Sequence, residues 1–439
     1  MARILLCSTP LAGHVGPVTA VGHGLVERGH EVIMVTGSRF ADQVADAGLT
    51  MHPLAGIADI DERDPDSFLP KRDRHRGLAL SRYQVENTFV RPLLDQAAAV
   101  NEVIDTGDVG AVLCDGTFAG IVPLLSRSRE QRPPVMGLGT MPLAQTSRDV
   151  APFNSGLPPM PGLVGNIRNR IAHQVVRRGM FAATQRYAAG LVGAAGGRLD
   201  HFILDLSSAF DRFFQLGPAE FEYTRADLAE NTVFVGPVGG PNRRVAQPPW
   251  WPEMLADQRP IVHVTQGTLD NHDLSQLIEP AIVGLGDADV QVVVTTGGAD
   301  PDSIRLASNT RIARFLDYNA LLPRTAVMVT NGGYGGVLHA LRHAVPVIVA
   351  PGAEDKPEVA ARVQHFGVGA DLRTRRPPAS SIADATIRIL SDDSVTQSCT
   401  AMARAIATYD PIGTIANALH DELDPARCDP RPDPKDVAR

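Results

Sequence analysis

This chain has little with which to build a redox, metal or membrane-spanning protein. Its 439 residues include four cysteines, Cys7, Cys114, Cys399 and Cys428, and no two are spaced for zinc or dithiol chemistry. Cys7 and Cys114 fall inside apolar β-runs, where a small core residue is the simplest reading. No stretch reaches the roughly 18 apolar residues of a spanning helix. The apolar run in MARILLCSTP is too short for a signal peptide and reads as a first strand. Net charge is −8 and the arginines are dispersed, so nucleic-acid binding lacks electrostatic support. No GxGxxG follows a strand and no GxxxxGK(S/T) occurs, which argues against a dehydrogenase and an ATPase. These absences point to a cytoplasmic protein without a metal or a bound cofactor.

What is present is ordinary in bulk and informative in order. Hydrophobic residues make up 44% and charged residues 21%, a usual balance for a globular chain. The length exceeds one core and fits two domains of about 200 residues each. The first half alternates strand and helix. Strands are expected at 3–8, 31–36, 50–54, 111–115, 133–139, 212–216 and 232–235. A Gly/Pro loop at 9–17 leads into a helix at 18–28, and one long helix covers about 78–104. Residues 56–75 form an acidic, irregular loop of the length that is usually functional or mobile. A short helix is expected at 117–126, and helical patterns run to about 206. Residues 141–165, rich in Pro, Gly and Met, form either an apolar wall or an ordinary surface loop. The βαβ order predicts parallel sheets with right-handed crossovers. Residues 237–260 are dense in Pro and Gly, hold both tryptophans, and read as a linker. The second half restarts with strands at 261–265, 290–295, 311–315, 326–330 and 346–350 and ends in helices to 423. The tail, 424–439, is Pro- and charge-rich and expected to be disordered. The fold class is therefore α/β, two doubly wound domains at 1–236 and 261–413 facing across a cleft.

Residues 329–372 carry the most information. An apolar β-run stops at Gly332-Gly333, and a helical pattern opens at Gly335-Gly336. Strand, glycine turn, helix presents backbone N–H groups to a phosphate, and glycine lets the chain approach closely. The next β-run ends at Pro351-Gly352, followed by Glu354-Asp355, a carboxylate placed at the carboxyl end of a strand. A diphosphate with hydroxyls nearby describes a nucleotide sugar.

In the first half, His14 lies in PLAGHVGP between the first strand and the first helix. The positive end of a helix disfavours imidazolium there, and a neutral imidazole is the competent general base. A loop histidine making one structural hydrogen bond is the alternative. Asp115 ends the strand AVLCD and either orients the His14 ring or caps the next helix. Thr268, after the first strand of the second half, either holds a phosphate or caps a helix.

These residues resemble the family 1 inverting glycosyltransferases of the GT-B fold, in their bacterial natural-product branch. The resemblance spans nearly all of residues 1–423; it is strong at 315–372, moderate around 10–17, and over 56–240 rests on the pattern of elements alone. It implies a nucleotide sugar in the C-terminal domain, an acceptor in the N-terminal domain, no metal, and a last helix, here 414–423, crossing back to the first domain. By position, His14 matches the family's catalytic base and Asp115 its partner carboxylate. Phe315 falls on the base-stacking position, with the Leu316 backbone next to the uracil. Gly332, Gly333 and Gly335 fall on the GGxG loop, Thr268 on the diphosphate-contacting hydroxyl, and Asp355 on the acid that grips the sugar. There are four departures: Asn331 replaces a histidine, Gly336 a Ser or Thr, Lys356 a glutamine, and Val359 an asparagine. Gly336 still offers its N–H, Asn331 a neutral donor, and Lys356 a cation able to reach a hydroxyl or phosphate.

The NGGYGG and EDKPEVAARV wording resembles an actinobacterial branch acting on polyketides, rifamycins or cell-envelope glycolipids. The expectation is transfer of a hexose, glucose from UDP-glucose, onto a hydroxyl of a hydrophobic natural product such as a rifamycin. A dTDP-deoxysugar donor or a glycolipid acceptor is the alternative within the class. A nucleotide-sugar epimerase and a non-catalytic nucleotide-sugar-binding helper are the alternatives outside it.

Overall fold

The computed structural model describes residues 1–239, 245–267, 271 and 273–423. Thr268, residues 240–244 of the expected linker and the tail 424–439 lie outside the described residues.

Two parallel sheets organise the chain. The first contains β1 (Arg3–Cys7), β2 (Glu31–Thr36), β3 (Thr50–Pro53), β4 (Val109–Asp115), β5 (Val135–Gly139), β6 (Arg212–Gln215) and β7 (Thr232–Phe234). Their order is β3-β2-β1-β4-β5-β6-β7. The second contains β8 (Ile261–Thr265), β9 (Gln291–Thr295), β10 (Thr310–Ala313), β11 (Thr325–Thr330), β12 (Val347–Val349) and β13 (Gly369–Asp371). Their order is β10-β9-β8-β11-β12-β13. Helices cover both faces, so the central strands are largely apolar: Leu5, Leu6 and Cys7, and Val262 and Val264, have no exposed surface. Each sheet reverses its strand order once, between β1 and β4 and between β8 and β11. Chain leaving the carboxyl ends at those two points diverges and leaves a crevice.

Several boundaries differ from the sequence expectation, each for a local reason. The first helix begins at Ala12 and contains His14 and Pro17, whereas a loop was expected up to residue 17. Proline in an early turn removes only one helical N–H bond, and the Glu62 carboxylate accepts the Ala12 N–H at 3.0 Å. The long helix expected over 78–104 is divided into Gly77–Val85, a π-turn at Glu86–Val90 and Leu93–Ile104, with the break at Pro92. The helix expected at 117–126 is two short turns, Ala119–Ile121 and Val122–Leu125. Helical structure after the insertion occupies Gly162–Gln174, Val175–Met180 and Ala182–Ala194 and stops before the glycine pair at 196–197, well short of 206. Within the expected linker, Trp251–Ala256 is helical, and Trp251 and Met254 pack with Ile261, Val293, Leu316 and Leu321 of the second domain. Strand β13 was not anticipated, because three residues carry no periodicity. The last helix, Pro411–Leu423, buries Ile415, Ala418 and Leu419 in the core of the first sheet.

The two domains meet at a buried polar cluster. Phe221 inserts among Leu322, Met328 and Tyr334 of the second domain. Beside it, Arg362 bridges Glu222 of the first domain at 2.5 Å and Glu358 of its own helix at 2.9 Å. The Glu222 carboxylate also accepts from the N–H groups of Leu143 (3.1 Å) and Tyr223 (2.8 Å) and from Arg225 (3.1 Å). The Arg362 guanidinium lies 4.3 Å from the centre of the Tyr223 ring. Burial by itself would raise the Glu222 carboxyl, but Arg362 and Arg225 outweigh it and hold it below the ordinary value. Stability from this ion pair is thus present above the unfolded-state pKa near 4.5 and lost as pH falls through the lower folded value. Removing one partner strands a buried charge, so Arg362→Ala should cost about 3–5 kcal/mol in urea unfolding. A loss below roughly 1 kcal/mol would show that the bridge is not buried in solution.

Candidate functional site

The crevice of the first domain is built around His14. β1 ends at Cys7, Ser8 and Thr9 continue along the same line, and the chain turns into the helix that carries His14 in its first turn. β4, on the other side of the strand-order reversal, ends at Asp115. His14 Nδ1 and Asp115 Oδ2 are 2.9 Å apart, and both side chains are buried. The carboxylate accepts further bonds from the Thr9 N–H at 3.2 Å, the Thr117 N–H at 3.2 Å and the Thr117 hydroxyl at 2.8 Å. Thr140, just past the end of β5, lies 3.0 Å from His14 Nδ1 and donates to Asp115 Oδ1 at 3.4 Å. Asp115 is therefore held on every side, and Nδ1 carries the proton that faces it. Nε2 is then the basic nitrogen.

Electrostatics around the pair differ from the sequence expectation. The helix N-terminus was expected to keep His14 neutral. Burial does disfavour the imidazolium, but the Asp115 charge and hydrogen bond outweigh it, and His14 sits above the ordinary histidine value. Asp355 and Glu354, from the second domain, add to the rise. Burial alone would raise the Asp115 carboxyl, and the His14 charge and the Thr117 bonds bring it below its ordinary value.

Sequence reasoning missed Glu62. Leu11 occupies the N-cap of the His14 helix and has no side-chain acceptor to offer. Glu62, from the acidic loop, supplies it: its two oxygens lie 3.0 and 3.1 Å from the Ala12 nitrogen. Arg39 holds the same carboxylate at 2.6 Å. A helix start without Ser, Thr, Asp or Asn was the available signal that a remote acceptor was needed.

The second domain places the glycine loop at its own strand-order reversal. Asn331 follows β11, is buried, and donates from Nδ2 to the Gln266 carbonyl after β8 at 2.5 Å. Gly332 has φ +93°, and a Cβ there would meet Val349 at 2.7 Å, so only glycine fits. Gly333 caps the helix Tyr334–Arg342, which starts one residue earlier than expected. A Cβ at Gly333 or Gly335 would meet nothing within 4 Å, so packing does not require glycine at either position, and at Gly336 the nearest atom lies at 4.0 Å. Tyr334, not singled out from the sequence, is buried against Gly217 of the first domain, where an added Cβ would collide with its hydroxyl.

Phe315 lies beyond the end of β10 and is 44% exposed, whereas its neighbour Leu316 is buried in the core. The two flanks of this position thus have opposite tasks: an open ring and an anchored backbone. Asp355 is half-buried at the start of the helix Lys356–His365. Loss of water raises its carboxyl above the ordinary value, Lys356 opposes the rise and Glu354 reinforces it. Lys356 is buried and reaches Glu354 at 3.2 Å. Glu354 has φ +67°, an unfavourable backbone for a residue with a side chain, held at the loop that faces His14. Val359 is wholly buried in the core of the second domain. Among the described residues, no group of three or more His, Cys, Asp or Glu is placed to hold a metal ion. No described helix is long and apolar enough to cross a membrane.

Comparisons with known proteins follow the same lines. Residues 280–420 match the model of the erythromycin biosynthesis protein CIII-like C-terminal domain. Residues 11–101 match the glycosyltransferase family 28 N-terminal domain. The chain is 35% identical to 4'-demethylrebeccamycin synthase of Lentzea aerocolonigenes, over 89% of this chain and 92% of that protein. It is 32% identical to UDP-glucosyltransferase B1 of Starmerella bombicola, over 95% and 98% respectively. Among solved structures, the calicheamicin glycosyltransferase CalG4 superposes with a TM-score of 0.71 at 21% identity, covering 98% of this chain and 100% of that one.

Two measurements test the site without reference to any reaction. In a histidine NMR titration, His14 should titrate above 6.5, and Asp115→Asn should lower that midpoint. An unchanged midpoint would break the pairing. Glu62→Ala should lower stability by about 1 kcal/mol, the usual worth of a helix N-cap, as read by thermal unfolding.

Proposed function

Because this chain belongs to the family 1 glycosyltransferases of the GT-B fold, we propose that it transfers a hexosyl group with inversion from a nucleotide sugar to an acceptor hydroxyl. The observation that carries the reading is the His14–Asp115 pair, buried at 2.9 Å and within electrostatic reach of Asp355 on the other domain. One crevice holds a base with its orienting carboxylate, and the facing loop holds a carboxylate suited to sugar hydroxyls.

The step is a single displacement. Nε2 of His14 takes the proton of the acceptor hydroxyl as its oxygen attacks the anomeric carbon, and the bond from that carbon to the diphosphate breaks. Asp115 stabilises the imidazolium that forms. Its own oxygens are committed to His14, Thr9, Thr117 and Thr140, which leaves it a poor nucleophile for a two-step route. The departing diphosphate gains charge, and backbone N–H groups at Gly333, Gly335 and Gly336 with the helix N-terminus behind them would stabilise it. Glycine at positions where packing does not demand it is what close approach of a phosphate would explain. Asn331 stands beside the same loop and fixes it to Gln266, and the Thr268 hydroxyl would contact the diphosphate. Phe315 offers an open ring for a nucleobase, with the Leu316 backbone beside it. Asp355 orients the sugar, and Lys356 steadies the loop that carries it.

For the donor, we favour UDP-glucose. A relative named UDP-glucosyltransferase aligns over nearly the whole chain at 32% identity, whereas a neighbour solved with dTDP is 17% identical and speaks to the fold alone. For the acceptor, a hydroxyl of a hydrophobic natural product fits the Met-, Pro- and Gly-rich insertion at 141–165, and the relative named 4'-demethylrebeccamycin synthase is compatible with it. The protein would need no metal for this chemistry.

His14→Ala should lower transfer by about 10²–10⁴-fold while calorimetric binding of UDP is kept. Transfer near the wild-type rate would remove His14 from the mechanism. In the wild type, kcat/KM should rise with pH through the elevated His14 value, and Asp115→Asn should move that limb to lower pH as the plateau falls. Phe315→Ala should weaken UDP binding by about 1–3 kcal/mol, the usual worth of base stacking. A mass-spectrometric screen of UDP-glucose and dTDP-sugars against macrolides, rifamycins and phenols names donor and acceptor together.

A further inference from the structure

Arginine is dispersed over the whole chain, yet its acids are not. Between Asp149 and Asp200 there is no Asp, Glu or Lys, and there are six arginines: Arg168, Arg170, Arg177, Arg178, Arg186 and Arg198. A chain of net charge −8 thus contains one strongly cationic segment. That segment folds as the helix Gly162–Gln174, the π-turn Val175–Met180 and the helix Ala182–Ala194.

The polarity of the first of these helices is inverted. A surface helix ordinarily turns its apolar stripe to the core. Here the buried positions are Gly165, Asn169 and His173. Asn169 donates to the Arg148 carbonyl at 2.9 Å, and His173 Nε2 contacts the Val150 carbonyl at 3.1 Å, so the inner face is fixed by polar bonds. The outer face carries Leu163, Ile167, Ile171 and Val175, spaced by four residues and 75%, 51%, 60% and 54% exposed. Arg170 and Arg178 flank Ile171 and Val175 along a groove of about 520 Å³. An outward apolar ridge bordered by arginine and free of acid is the composition of a helix that lies in a bilayer interface.

We propose that this face, centred on Ile167, Ile171 and Val175 with Arg170 and Arg178, docks on an anionic lipid surface. A second copy of the chain is a poorer occupant. A two-fold contact would set Arg170 and Arg178 against their own equivalents, with no acid in the segment to pair them. The placement also has a consequence for the crevice. Six residues before the helix, the Gly156 N–H donates to Glu358 at 3.0 Å, and Gly156 lies beside Pro357, next to Asp355 and Lys356. The docking face therefore begins at the rim of the candidate site. If the transferase reading holds, a lipophilic acceptor dissolved in the bilayer would reach the crevice without crossing water. The docking itself does not depend on that reading.

The test is flotation of the full chain with vesicles of phosphatidylcholine alone and of equal parts phosphatidylcholine and phosphatidylglycerol. Binding to the anionic vesicles should exceed binding to the neutral ones by about tenfold or more at low salt and fall in high salt. Two double variants, Arg170→Gln/Arg178→Gln and Ile167→Ser/Ile171→Ser, should each lose it while keeping an unfolding midpoint close to the wild-type value, since these side chains are exposed. Equal binding to both vesicle types, or full binding by either variant, would overturn the proposal. So would a wild-type dimer in sedimentation that Ile167→Ser/Ile171→Ser converts to monomer, because the face would then belong to a second copy. Loss of glycosyl transfer with vesicle binding intact would count against the transferase reading alone.

Discussion

A parallel sheet whose strand order reverses once must open at that point, and both halves of this molecule depend on that constraint. Chains leaving β1 and β4 turn to opposite faces, and Thr9, His14 and Asp115 meet where they part. The second sheet repeats the arrangement at β8 and β11, where Asn331 ties two diverging loops together through the Gln266 carbonyl. Neither gap alone assembles the site. The buried bridge from Arg362 to Glu222, the insertion of Phe221 and the contact of Tyr334 with Gly217 fix one gap against the other. A buried ion pair is a poor source of net stability, but it is sensitive to geometry, and here it registers two domains.

The site balances opposing effects at short range. Burial acts against charge on His14, Asp115 and Asp355 alike. Mutual attraction wins for the first two, and burial wins for Asp355. The His14 ring is thus biased toward accepting a proton, while its partner remains an anion ready to stabilise the result. The supporting parts come from far along the chain: Glu62 from the acidic loop holds the helix start, and Thr117 and Thr140 fix the carboxylate. One of the strained, positive-φ positions, Glu354, lies where the second domain faces the first.

The same principle, that a side chain's role follows from which face it is given, separates the crevice from the outer surface. The helix Gly162–Gln174 spends its polar residues inward on Asn169 and His173 and its apolar ones outward. A periodicity count registers only that the helix is amphipathic. Which stripe meets the core is decided by the carbonyls of Arg148 and Val150, which need donors.

Local pattern in the sequence was enough for the α/β class, the two parallel sheets, the family, and the glycine loop with its following acid, because turn chemistry and apolar runs act within a few residues. His14 and Asp115 were also legible, as polar residues at the ends of apolar strands. What the sequence could not supply was anything set by distant neighbours. The start of the first helix at Ala12 rests on Glu62, 50 residues away. The raised affinity of His14 for its proton rests on Asp115, 101 residues away, and it overrides the helix end that the sequence showed. Strand β13 exists because β12 offers an edge, the tryptophan helix because the second core has room for Trp251, and the interdomain registration because Arg362 and Glu222 meet across 140 residues. Local preferences are worth a fraction of a kcal/mol per residue, so wherever a buried charge or an open edge was at stake, the tertiary partner decided.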